Sequence, residues 1–172
     1  ERTVEDVGGN YVIFRTSWVY GARGKNFLKT VLKLAAERPE LRIVDDQVGA
    51  PTWSRDLADA TRKIIEQLVS KSESENIPIG EALGDRGGIY HMTAAGSVSW
   101  CGFAGAILEE MEKRGPSKRS LAKIVPIPSS DYPTPAARPH NSRLCNDKLK
   151  KTLGVMLPQW RRSLTAVMDE LG

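Results

Sequence analysis

The chain has 172 residues, 40% of them apolar, and a net charge of +4. That length suits one domain with a buried core, and no apolar run approaches the ~20 residues that cross a bilayer, so no membrane partner is expected. The basic residues are spread along the chain, with mild clusters at Lys113–Lys123 and Lys148–Lys151 that lack the interleaved aromatics of a nucleic-acid module. No nucleic-acid partner is therefore expected, whereas a modest positive bias suits a diphosphate-bearing small molecule.

Cys101 and Cys145 lie far apart, with neither metal spacing nor a disulfide framework, which predicts reduced thiols in a cytoplasmic protein. The start, Glu1-Arg2-Thr3-Val4-Glu5-Asp6, is charged and carries no signal-peptide pattern. It does not begin with Met, and the expectation is a single fragment, 1–172, cut from inside a longer protein.

In chain order, Tyr11-Val12-Ile13-Phe14-Arg15 reads as a buried strand, followed by a loop over Thr16 to Gly21 with two large aromatics. A helix is predicted from about Asn26 to Glu37, with Phe27, Leu28, Val31, Leu32 and Ala35 on one face. Leu41-Arg42-Ile43-Val44 alternates like a half-buried strand, and Asp45 to Thr52 forms a polar turn into a second extended piece. Ser54 can cap a helix that buries Leu57, Thr61, Ile64, Ile65 and Leu68. The weakly apolar stretch 70–88 reads as a flexible loop or insertion.

Ile89-Tyr90-His91-Met92 is the next strand. Ser99 caps a helix with a stripe of Trp100, Phe103, Ala104, Ile107, Leu108 and Met111, and Ile124 to Ile127 is extended. The proline-rich run Tyr132 to Pro139 cannot be regular structure. Asn146 is predicted to cap a short helix ending at Gly154. The last helix is expected to bury Trp160, Leu164, Val167, Met168 and Leu171. Strands alternating with helices argue for an α/β or α+β layer fold.

The usual catalytic engines are missing. There is no G-x-G-x-x-G, and Gly21-Ala22-Arg23-Gly24-Lys25 fails as a phosphate loop because Val19 replaces its first glycine and Asn26 its Ser/Thr. No cluster has metal spacing, and there is no G-x-S-x-G elbow. What stands out is a set of polar, aromatic loops that follow strands. Trp18 lies just past a buried strand, where open α/β sheets bind ligands. It could stack on a base or sugar, or simply pack. Arg138 sits in a loop stiffened by prolines, where its guanidinium could grip a pyrophosphate or make an ordinary ion pair.

These loops carry a family resemblance. Phe14-Arg15-Thr16-Ser17-Trp18-Val19-Tyr20-Gly21, Asp46-Gln47-Val48-Gly49-Ala50-Pro51-Thr52, Gly88-Ile89-Tyr90-His91-Met92 with Gly96 to Trp100, Tyr132 to Pro139 with Asn141-Ser142-Arg143-Leu144, and Leu157-Pro158-Gln159-Trp160 are similar, in that order, to motifs of the dTDP-4-dehydrorhamnose reductases. The resemblance runs from about Tyr11 to the C-terminus and implies an extended short-chain dehydrogenase/reductase. The chain would be the C-terminal, substrate-binding part of a Rossmann-type α/β enzyme, including the last strands of its parallel sheet. It implies reduction of the 4-keto group of dTDP-4-dehydro-L-rhamnose by NADPH or NADH. The family's Gly-rich cofactor loop and Tyr-x-x-x-Lys pair are absent: Tyr11, Tyr20, Tyr90 and Tyr132 are followed four residues on by Arg15, Gly24, Ala94 and Ala136. No catalytic residue is therefore expected in this chain, and the fragment alone is expected to be inactive.

By the same resemblance, Trp18 would contact the dTDP-sugar, Gln47, Pro51 and Thr52 would line its pocket, and Arg138 and Ser142 would close it, while Thr16 and Ser17 would lie near the cofactor's nicotinamide. Open strand edges would favour self-association. A non-catalytic regulatory subunit of the same build, or another nucleotide-sugar enzyme such as an epimerase, are the alternatives; the Trp18 loop and the proline-rich run argue against the epimerase.

Overall fold

The computed structural model describes residues 1–115, 122–136 and 138–172. Its elements are α1 (Arg2–Val7), β1 (Val12–Arg15), β2 (Val19–Tyr20), α2 (Phe27–Glu37), β3 (Glu40–Val44), β4 (Val48–Gly49), β5 (Thr52–Trp53) and α3 (Ser54–Glu75). They continue as α4 (Ile79–Leu83), β6 (Gly88–His91), β7 (Val98–Ser99), α5 (Trp100–Lys113), β8 (Lys123–Ile127), α6 (Asp147–Leu153) and α7 (Trp160–Leu171), with short 3-10 turns at Gly84–Arg86 and Ser129–Asp131. Part of the basic cluster 113–123 and Ala137 of the proline-rich run lie outside the described residues.

Among the described residues the strands associate in pairs. β1 runs parallel to β6, β2 to β5 and β3 to β8, while β4 and β7 are antiparallel. Parallel pairs need long crossovers, and helices supply them here. One core gathers Leu28, Val31 and Ala35 of α2, Phe103, Ala104 and Ile107 of α5, and Leu164 and Val167 of α7. A second joins Ala60 and Ile64 of α3 to Tyr90, Met92, Leu149 and Leu153. The apolar stripes read for α2, α5 and α7 are largely buried, because a 3.6-residue period places them on one helix face, whereas of the stripe read for α3 only Ile64 is buried. Asn26 caps α2 by accepting the Lys29 N–H at 3.2 Å, and Ser99 caps α5 by accepting that of Gly102 at 2.9 Å.

Three expectations are corrected. The stretch 70–88 is largely helical. α3 runs on to Glu75 and ends where Asn76 enters the left-handed region (φ 53°), and the Ser72 hydroxyl closes the turn by donating to the Ile77 carbonyl at 2.6 Å. α4 then buries Ala82 and Leu83. A surface helix shows mostly its polar face, so its composition resembles a loop. Ile65 and Leu171, expected in the core, are 51% and 37% exposed. Asn146 precedes α6 but makes no side-chain cap; its amide is engaged elsewhere.

Candidate functional site

The site is built where β1 ends. Three residues beyond Arg15 the chain bends, and Trp18 takes φ 51°. A bulky residue there costs of order 1–3 kcal/mol, which the interactions of its surroundings must offset. The Trp18 carbonyl accepts the Thr52 N–H at 3.1 Å, and β2 then pairs with β5. The indole stacks on Trp100, with ring centres 3.6 Å apart and planes 9° from parallel. Its other face is occupied by Gly49: a Cβ added there would lie 2.5, 2.7 and 2.9 Å from Cε2, Nε1 and Cδ2. Such similar distances to three fused ring atoms place Gly49 over the ring, not beside it. Stacking of Trp18 on a ligand is therefore corrected; with both faces covered, only an edge is open. Phe27, Phe103, Tyr20 and Trp160 extend this aromatic floor inward.

The loop from Asp45 to Thr52 forms the adjoining wall. Asp45 accepts the Ser99 hydroxyl at 2.5 Å, and the Asp46 carboxylate accepts the Ser129 hydroxyl at 2.5 Å and the Ser129 N–H at 3.0 Å. These hydrogen bonds from Ser129 hold the Asp46 carboxyl below the usual carboxylate range. Half-buried Gln47 donates its amide to the Ser129 hydroxyl at 2.9 Å. Val48 donates its N–H to the His140 carbonyl and accepts that of Ser142, both at 2.8 Å. The Ser17 hydroxyl reaches the Ser142 carbonyl at 3.4 Å. Ser17, Trp18, Gln47 and Ser142 are thus drawn into one group of loops.

The remaining expected residues divide. Thr16 is exposed just past β1, and Arg138 is exposed two residues before His140, whose Nδ1 lies 3.0 Å from the Asp46 carbonyl oxygen. Pro51 and Thr52 do not line a pocket. Both are fully buried, and the Thr52 hydroxyl is consumed by donating to the Ala50 carbonyl at 2.9 Å and accepting the Ala94 N–H at 3.2 Å. The sequence reading missed Ser129 and the pairing of Trp100 with Trp18; a Trp in the first turn of a capped helix beside a strand-end loop was the available signal. Among the described residues no group of His, Cys, Asp and Glu could hold a metal, and no helix is long and apolar enough to cross a membrane. An open recess of about 720 Å³ between α3 and residues 154–156 lies away from these loops.

All 172 residues match the model of the RmlD substrate binding domain. The chain belongs to that family. It is 44% identical over 172 residues to a dTDP-4-dehydrorhamnose reductase of Burkholderia thailandensis, covering 99% of this chain and 55% of that protein. It is 39% identical to the dTDP-4-dehydrorhamnose reductase of Escherichia coli, covering 99% of this chain and 53% of that one. The solved dTDP-4-dehydrorhamnose reductase of Bacillus anthracis, in complex with NADP, superposes with a TM-score of 0.79 at 30% identity, over 98% of this chain and 52% of its own. The chain thus spans about half the length of the relatives it matches, and its α/β build with parallel strand pairs is that of half a Rossmann-type reductase.

Proposed function

We propose that this chain is the sugar-nucleotide side of a reductase that converts dTDP-4-dehydro-L-rhamnose to dTDP-L-rhamnose with NADPH or NADH. The observation that carries this reading is the match of the whole chain to a substrate binding domain. The convergence of Ser17, Trp18, Gln47 and Ser142 supports it. Trp18 and Trp100 make a rigid floor, Gln47 and Ser142 a polar wall, and Arg138 an exposed cation at the rim. A guanidinium there can meet a diphosphate bidentately. Thr16 and Ser17 suit the nicotinamide end of the cofactor, because they sit beyond the carboxyl end of a parallel strand with hydroxyls to offer. When bound, the dinucleotide supplies the hydride. The chain itself positions the sugar and excludes water around it. The half-buried apolar strand β1 has β6 as its only strand partner among the described residues, which would favour self-association of the isolated chain.

The test is oxidation of NADPH in the presence of dTDP-4-dehydro-L-rhamnose. A full-length protein that joins this chain to a dinucleotide-binding half should show it, and the 172-residue chain alone should not. Substrate-dependent oxidation by the isolated chain would overturn its assignment as the substrate side only. Its absence from the full-length protein would overturn the reductase reading.

A further inference from the structure

We infer that Thr52 is a positioning residue, the buried polar joint that holds Trp18 in its left-handed conformation and thereby fixes the aromatic floor of the site. The inference rests on the reading that Trp18 belongs to the sugar-nucleotide site. Thr52 has no exposed surface, yet it is polar. Its N–H donates to the Trp18 carbonyl at 3.1 Å, its hydroxyl donates to the Ala50 carbonyl at 2.9 Å, and the same oxygen accepts the Ala94 N–H at 3.2 Å. One side chain therefore ties the segment after β6 to the loop that carries Gly49, while its backbone ties that loop to Trp18.

The joint is braced from behind. Asn146 accepts the Thr93 N–H at 3.2 Å through Oδ1 and donates to the Thr93 carbonyl at 2.9 Å through Nδ2, so the residue before Ala94 is clamped on both sides. Thr93 is itself buried. This explains why Asn146 does not cap α6: its amide is committed to Thr93. Trp18 gains nothing from φ 51° by itself, since a bulky residue prefers the extended region. It stays there because Gly49 and Trp100 enclose the ring and Thr52 fixes both the peptide below it and the loop bearing Gly49. Valine has the shape of threonine without the hydroxyl. Thr52→Val would leave the buried Ala94 N–H unpaired, and the loop would shift to satisfy it, releasing the indole. Serine keeps the hydroxyl.

The stacked indoles of Trp18 and Trp100 provide a readout of their own, an exciton couplet in the far-ultraviolet circular dichroism that Trp100→Leu identifies by abolishing it. Thr52→Val should fold and lose most of this couplet, and Thr52→Ser should keep it. A folded Thr52→Val with the couplet intact overturns the assignment. If Thr52→Val does not fold, Asn146→Ala is read in the same way. In the unsubstituted chain, the Thr52 and Ala94 amides should exchange hydrogen as slowly as those of the core helix α5, and fast exchange overturns the assignment whatever the variants do. In the full-length protein, Thr52→Val should raise KM for dTDP-4-dehydro-L-rhamnose by roughly tenfold, with kcat changed far less. A lost couplet with an unchanged KM would uphold the hold on Trp18 and overturn its part in the sugar-nucleotide site.

Discussion

Trp18 and Arg138 belong to the same group of loops and are held in opposite ways. The indole is clamped between Gly49 and Trp100 and anchored through buried Thr52. The guanidinium stands in solvent on a proline-rich segment, linked to the wall through His140 and Ser142. The first arrangement is a floor whose shape is part of the folded core. The second is a rim whose side chains are free to meet a ligand. A substitution in the floor should therefore act on stability and binding together, and one in the rim on binding alone.

The largest effect is expected at the floor. Trp18→Ala removes both stacked faces from a half-buried ring and should lower stability by roughly 2–3 kcal/mol, somewhat less than truncating a fully buried aromatic. Chemical denaturation measures it. A loss near zero would make Trp18 a rim residue and erase the distinction. Gly49→Ala comes next. Its Cβ would fall 2.5 Å from Cε2 of Trp18, so the ring or the loop must move. Overpacking of this kind costs about 1–3 kcal/mol, and the Trp18–Trp100 couplet should weaken in parallel. A silent Gly49→Ala would show that the loop gives way easily and that the floor is not rigid.

The link between wall and rim should respond to acid. Ser129 lowers the pKa of Asp46 in the folded state, so the stabilisation is complete above the ordinary carboxyl value, 3.8, and is lost as pH falls through the lower folded value. The Ser129 amide should therefore lose its protection from hydrogen exchange below about pH 4 while the core amides keep theirs. Asp46→Asn, which replaces the titrating carboxyl by an amide, should remove that selective acid sensitivity. If core and wall loosen together, Asp46 does not control this link.

The helices of this fold were legible because burial follows a period the sequence displays: Leu28, Val31 and Ala35 of α2, or Phe103, Ala104 and Ile107 of α5, lie on one helical face. The end of α3 was not legible, since Lys71, Ser72, Ser74 and Glu75 suit a solvated helix and a loop equally well. The charged turn α1 buries nothing and left no pattern to read. Of the site, the position of Trp18 followed from the strand before it, but its orientation depends on Gly49 and Trp100, residues 31 and 82 positions away in the chain. Thr52 was assigned to a pocket wall by the family resemblance, with Gln47 and Pro51 of the same motif. Its true role depends on Ala94, which meets it only in the folded protein.

The smallest effect on stability, and the most direct trial of the division between floor and rim, is at Arg138 in the full-length protein. Denaturant midpoint and kcat/KM for dTDP-4-dehydro-L-rhamnose are measured on the same Arg138→Ala preparation. Stability should stay within about 0.5 kcal/mol of the unsubstituted protein, as for an exposed side chain. Loss of a charge-assisted contact to the diphosphate should lower kcat/KM by roughly 10- to 100-fold. An unchanged kcat/KM, or a stability loss as large as that of Trp18→Ala, would contradict the assignment of Arg138 to a ligand-facing rim.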